Sequence, residues 1–369
     1  MPFSRYMQTC LYDPSHGYYS RRAEQFGKTG DFYTSSDVHA VFGRLLARQF
    51  DEIWHALDRP PQIELLELGP GRGLFARDVL DWSEKKFPDF FASLTYTLQE
   101  SSPALRAKLE TTLDSHFARR KAVLAAQCLD PTVSVRRSQP VGVPLTVFAN
   151  EFFDALPVEI LSRQGKLHLA FEDGRLREIW LPPSPTELEF LDRDGVHPQE
   201  VERIEVPLLA QNWIAHIAAS IDRGALLVID YGYTRDEQLS GRHRGTLMAY
   251  RNHSATPDPY QAPGEQDLTA HVNFTALTGA CAAAGMRVER LRTQSQFLMG
   301  IGERNQFADA FEDCRIPQEH AKVALQLKHL IAPTGMGETF HVLVGTRGID
   351  PERVTALSAL GFDSGSQLG

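Results

Sequence analysis

Residues 63–73 read Ile-Glu-Leu-Leu-Glu-Leu-Gly-Pro-Gly-Arg-Gly, an apolar run closed by alternating glycines. A helical spacing of Leu74, Phe75, Val79 and Leu80 follows at once, so the segment predicts a buried strand, a tight turn and a helix in succession. Such a unit places backbone N–H groups at a helix N-terminus, where a nucleotide-like ligand can approach closely. The dinucleotide fingerprint is G-x-G-x-x-G, and Leu74 occupies the position of its third glycine. What the chain carries is acid-x-G-x-G-x-G, from Glu67 to Gly73. The alternative is a tight strand-to-helix turn that holds no ligand.

The rest of the chain repeats the alternation. Strands are expected at 94–100, 132–135, 144–149, 225–230, 286–292 and 340–346, and helices over 37–57, from Pro103 onward, over 208–221 and over 274–284. Apolar strands interleaved with helices predict an α/β fold with a mostly parallel, doubly wound sheet covered on both faces. The first forty residues are dense in aromatics and glycine, which argues against a regular helix and for a segment folded over the domain that follows. Residues 159–170 and 175–181 alternate partly around Glu172-Asp173-Gly174-Arg175, a hairpin turn. They read as a loop excursion from the sheet, and the last twenty residues as a frayed, polar end.

Composition narrows the function classes. Apolar and charged fractions of 42% and 23% are those of an ordinary soluble globular protein. A net charge of −9 argues against a nonspecific nucleic-acid binder, which needs a basic footprint, and is compatible with a cationic protein or peptide substrate. Cys10, Cys128, Cys281 and Cys314 are scattered without a C-x-x-C pair, so no metal site is expected. No apolar span or signal-like stretch is visible, and the expected location is cytosolic.

Candidate site residues gather at strand ends. Glu100 closes the second strand, where an acid in a doubly wound fold hydrogen-bonds ribose hydroxyls. Residues 150–154, Asn-Glu-Phe-Phe-Asp, lie at the carboxyl end of a central strand. A helical turn there would put Glu151 and Asp154 on one face, able to clamp a guanidinium; the alternative is that one caps a helix while the phenylalanines are core. Asp230 is a weaker candidate for the same cleft. In 267–274, Asp-Leu-Thr-Ala-His-Val-Asn-Phe, His271 could be catalytic or simply packed, and Asn273 could be an N-cap.

Taken in order, these stretches resemble the MidA-type class I methyltransferases that use S-adenosylmethionine (SAM). The matching segments are Tyr6-Met7 through Leu11-Tyr12-Asp13-Pro14, Gly17-Tyr18-Tyr19, Gly30 to Ser35, and Phe42-Gly43. The match continues through Glu67 to Gly73, Asn150 to Pro157, Asp230-Tyr231-Gly232, Asp267 to Phe274, Gln296 to Ile301 and Met336-Gly337. The resemblance implies a Rossmann-like core with SAM held by Gly30, Asp31, Thr34, Glu67, Gly69, Gly71, Gly73, Glu100 and Asn150. Glu151, Asp154 and His271 are the catalytic candidates. Residues 1–60 would pack on the core and border the pocket, 61–350 form the core with an insertion at about 158–222, and 351–369 form the polar end. Mitochondrial members methylate an arginine of a respiratory complex I subunit and assist its assembly, so a protein substrate is expected, with a homodimer left open. The family usually carries a further N-terminal helix, which keeps a mitochondrial address open beside the cytosolic one. A small-molecule methyltransferase and a non-catalytic assembly protein that retains the fold are the competing readings.

Overall fold

The computed structural model describes residues 1–21, 40–126, 135–251 and 254–361. Its centre is the sheet that the apolar strands predict. The parallel strands are β1 (Ile63–Leu68), β2 (Leu94–Gln99), β3 (Ala122–Leu124) and β4 (Leu145–Asn150). The insertion supplies β5 (Glu159–Ser162), β6 (Gly165–Glu172), β7 (Arg175–Leu181) and β8 (Ile204–Val206), and the chain then returns to the centre with β9 (Gly224–Tyr233). The remaining strands are β10 (Met248–Arg251), β11 (Ser254–Thr256), β12 (Asp267–Thr269), β13 (Val272–Asn273), β14 (Arg287–Val288), β15 (Arg292–Thr293) and β16 (Phe340–Arg347). The central order is β14-β16-β9-β4-β1-β2-β3. β9, β4, β1, β2 and β3 run parallel, and β16 lies antiparallel on β9. The strand order reverses beside β1, so ligands are expected at the carboxyl ends of β1 and β4.

Both faces are covered, as unbroken apolar strands require. Ile63 and Leu65 face one cluster with the helix Ala40–Ala56 and the helix Leu74–Lys86, while Leu66 and Leu68 face another with the helices Leu208–Ser220 and Phe274–Ala283. The strand expected at 286–292 is instead two short pieces, β14 and β15. Val288 pairs with Gly345 and Arg292 with Val342, four steps along one strand against three along the other, so one residue is extra and the edge bulges.

Three expectations need correction. The aromatic N-terminal segment does contain a regular helix, Phe3–Tyr12. Its buried residues Phe3, Tyr6, Met7, Cys10 and Leu11 keep helical spacing, and the glycines that argued against a helix begin only at Gly17. The insertion is more than a loop: β7-β6-β5-β8 form their own antiparallel sheet, turned at Asp173 and Gly174 with φ of 51° and 75°. The N-terminal helix packs on that sheet, and Met1 N donates to Leu169 O at 2.7 Å. Finally, 351–361 are not frayed. Val354, Leu357 and Ala359 are buried in the main core, because two short helices lay their apolar residues there. Residues 132–134, Asp37 and 362–369 lie outside the described residues.

Candidate active site

The turn after β1 holds Gly69, Gly71 and Gly73 with φ of 65°, 54° and 76°, a region that side chains rarely adopt. Their surroundings differ. A Cβ on Gly71 would meet nothing within 4 Å, and the residue borders an open cleft. A Cβ on Gly73 would lie 2.6 Å from Leu109 Cδ2, and Gly73 does not line the cleft. Gly73 is therefore a packing glycine that lets the helix Leu74–Lys86 start against Leu109 and Leu113, which corrects its assignment to the ligand.

The cleft lies at the carboxyl ends of β1, β2 and β4 and encloses about 890 Å³ including its open mouth. Glu67 and Glu100 both line it. Glu67 accepts from Tyr96 Oη at 2.8 Å, and burial pushes its carboxyl up to about 8. Glu100 accepts from Ser102 N at 2.9 Å; burial raises its carboxyl to about 7, against the pull of backbone N–H groups at Ser102, Gly71 and Ser101. Two desolvated carboxylates on one cavity fit a ligand that brings hydroxyl donors or positive charge.

Asn150 and Glu151 enter the same cleft from the end of β4, with Asn150 Nδ2 donating to Glu151 Oε1 at 3.1 Å. No helical turn forms here. Glu151 takes φ of 49°, and the fully buried Asp230 gathers the following backbone: its Oδ2 accepts from Phe152 N, Phe153 N and Asp154 N at 3.2, 2.9 and 3.3 Å. This turn separates the two acids that a helix would have aligned. Glu151 faces the cleft, whereas Asp154 is absent from its lining and accepts from Tyr231 Oη at 2.5 Å. Burial raises the Asp154 carboxyl to about 6.

His271 does not line the cleft either. Its Nδ1 sits 3.2 Å from His243 Nδ1, its ring meets the edge of Tyr231, and burial, then His243, lowers its pKa to about 4. Asn273 is an N-cap, accepting from Ala276 N at 3.0 Å. Gly30, Asp31 and Thr34 lie outside the described residues. Sequence reasoning missed Tyr12 and Tyr19, which line the cleft, and Asp267, which accepts from Tyr19 Oη at 2.8 Å. Their signal was the clustering of tyrosines before Ser20, which the sequence placed only in a segment folded over the domain that follows. Among the described residues no group could hold a metal ion, and no helix is long and apolar enough to cross a membrane.

Comparison with known proteins adds three findings. The model of a family described as putative S-adenosyl-L-methionine-dependent methyltransferase matches residues 45–292. The Drosophila melanogaster homologue of protein arginine methyltransferase NDUFAF7, mitochondrial, is 33% identical over 74% of this chain, a stretch that spans 65% of that protein. The Danio rerio protein of that name is 29% identical over 91% of this chain and 81% of its own. A Burkholderia thailandensis protein crystallised with S-adenosyl-homocysteine has 29% identity and a TM-score of 0.81, covering 97% of this chain and 90% of its own.

Proposed function

The chain belongs to the S-adenosyl-L-methionine-dependent methyltransferase family, with a Rossmann-like core and SAM as cofactor, and from that premise we propose that it methylates arginine side chains of a protein. The observation that carries this reading is the placement of Glu151 in the same cleft as Gly71 and Glu100, held there by the left-handed turn that Asp230 pins.

In this reading Gly69 and Gly71 let the cofactor approach the backbone, Glu100 takes its ribose hydroxyls, and Glu67 and Asn150 complete the pocket. When bound, SAM supplies a methyl already activated by its sulfonium. The protein's task is then to align a nitrogen in line with that methyl and exclude water. A guanidinium stays protonated under ordinary conditions, so a carboxylate must hold it and draw its positive charge away from the attacking nitrogen. Glu151 does this at the mouth of β4. His271 remains a candidate only through Tyr231, whose edge it meets.

The test is Glu151→Gln, assayed by calorimetry with SAM and by methyl incorporation into co-purifying proteins. Expected are SAM affinity within twofold of wild type and a fall in transfer of about 100-fold, the size a lost positioning group can cost. Wild-type transfer by the variant overturns the assignment. Mass spectrometry that finds methylation only on small molecules removes the protein substrate. A respiratory complex I-type subunit is the protein the resemblance suggests, and a homodimer the assembly that light scattering would test. The relatives named above are mitochondrial proteins, so the cytosolic location finds no support among them.

A further inference from the structure

The tyrosines that wall the cleft have no part in the clamp at Glu151, yet two separate elements place them there. Tyr12 ends the helix Phe3–Tyr12 and Tyr19 lies in the short helix Tyr18–Arg21, and both line the cleft. Their rings stand side by side, with centroids 5.5 Å apart and planes tilted by 35°. Each hydroxyl is engaged by a protein acceptor: Tyr12 Oη donates to Ala155 O at 2.9 Å, and Tyr19 Oη to Asp267 Oδ1 at 2.8 Å. Burial, and after it the charge of Asp267, raises both phenols, so they stay neutral. With the hydroxyls engaged inside the protein, what the pair offers a ligand is ring surface.

Their position along the cofactor follows from its chemistry. The sulfur of SAM is joined to the ribose through one carbon, and its methyl must meet the acceptor nitrogen. With Glu100 on the ribose hydroxyls and Glu151 beside the acceptor, the sulfur lies between those two residues. Tyr12 covers that interval. Glu100 is within electrostatic reach of its phenol, and the bond to Ala155 O holds it beside the turn that carries Glu151. Tyr19 stands against it on the same wall. Charge shows what rings add here. Burial lifts the Glu67 carboxyl to about 8 and the Glu100 carboxyl to about 7, so at neutral pH Glu67 mostly keeps its proton and Glu100 keeps it about half of the time. The acids of the cleft therefore carry less negative charge than their number suggests. An aromatic ring attracts a cation through its quadrupole, without titrating, and does so more strongly where water is excluded.

We propose that Tyr12 and Tyr19 form an aromatic seat for the sulfonium of SAM and select the charged cofactor over its neutral product, S-adenosylhomocysteine. The proposal rests on the cofactor placement given above and holds whichever nitrogen accepts the methyl. As the N–CH3 bond forms, the S–CH3 bond breaks and its electron pair stays on sulfur, while the surplus proton of the nitrogen leaves to solvent. The sulfur is then a neutral thioether, which the rings no longer attract. The seat weakens the product's hold relative to the cofactor's and helps the cleft to empty after each turnover.

The test is calorimetry of the full chain with SAM and, separately, with S-adenosylhomocysteine, read as the ratio of the two dissociation constants. Tyr12→Leu and Tyr19→Leu keep an apolar wall and remove the ring. Each should shift the ratio toward S-adenosylhomocysteine by about fivefold relative to wild type, which is about 1 kcal/mol, the size of a cation–π contact. Their affinity for S-adenosylhomocysteine should stay within about threefold of wild type, which also reports that they fold. Tyr12→Phe and Tyr19→Phe keep the ring and lose the hydroxyl, and should leave the ratio unchanged. A ratio unmoved in both leucine variants, or moved as far in the phenylalanine variants, overturns the seat and leaves the cofactor site standing. If wild type binds neither ligand, the cofactor site itself fails. Should leucine at one position unfold the chain, the other position decides the matter.

Discussion

Gly71 and Gly73 stand two residues apart in one turn, both with positive φ, and a methyl added to each would do different damage. On Gly71 it would project into the cleft and touch no protein atom within 4 Å. Gly71→Ala should therefore fold, at a cost of about 1–2 kcal/mol for the left-handed backbone, and bind SAM at least tenfold more weakly by calorimetry. On Gly73 it would strike Leu109 and Leu113. Gly73→Ala should lose a further 1–3 kcal/mol or so by overpacking, visible as a lower urea midpoint, with SAM affinity preserved wherever the protein remains folded. The pattern of three glycines was legible in the sequence as a turn that permits close approach. Which glycine serves the ligand was not, because that depends on Leu109 and Leu113, which arrive from a helix some thirty-five residues downstream.

The turn after β4 shows the same limit for a whole element. Glu151 and Asp154 at a spacing of three suggested one helical face, yet a buried acid on the neighbouring strand dictates the backbone instead. Asp230 satisfies three N–H groups with one carboxylate oxygen, a long-range arrangement that no local spacing encodes. Replacing it with the similarly shaped but non-accepting Leu should strand those donors and destabilise the fold by about 3 kcal/mol. Asp230→Asn, which keeps an acceptor oxygen, should cost less in the same urea titration. Buried and half-buried histidines between β9 and β13 and in β16 add a pH dependence. Burial holds His271 down to about 4, below its ordinary value, and lowers His243 and His341 as well. A depressed histidine contributes stability that is fully present above about pH 6.5 and is lost as pH falls toward 4. For His271 the loss is on the order of 3 kcal/mol at most. Asp154 acts in the opposite sense: its raised carboxyl favours the fold at low pH and less so as pH rises through about 6. The comparison that isolates the histidine is therefore wild type against His271→Gln, whose urea midpoint should fall less between pH 6.5 and 4.5. A variant that falls as steeply as wild type would show that His271 is not the group responsible.

At the scale of the molecule, the doubly wound sheet was readable because β1, β4 and β9 are apolar along nearly their whole length, a signature of strands covered on both faces. The N-terminal helix was obscured by averaging its regular spacing with the glycines beyond it. The second sheet was obscured because β5 and β8 are short and separated by more than forty residues. These two parts matter together, since the helix that covers the second sheet leads directly into the tyrosines that wall the cleft. Removing residues 1–20 should expose the apolar face formed by Ile160, Leu167 and Leu169 and take away Tyr12 and Tyr19. The expected result is a chain with a lowered melting temperature and weakened SAM binding by calorimetry, with the central sheet's circular dichroism largely kept. An unchanged SAM affinity would mean that the walls contribute nothing.

The antiparallel strand β16 also sets an order of events during synthesis. Every described residue that lines the cleft precedes residue 156, but β9, on which the turn at 150–154 depends, is held between β4 and β16. Until residues 340–347 have left the ribosome, β9 presents a long apolar strand with one edge unpaired, the kind of edge that recruits other chains. The nascent protein thus passes through a stage in which the described parts of its cleft are made and its sheet still has an unpaired edge. A chain halted before β16 would remain in that stage, with the outer edge of β9 open to pairing with other chains.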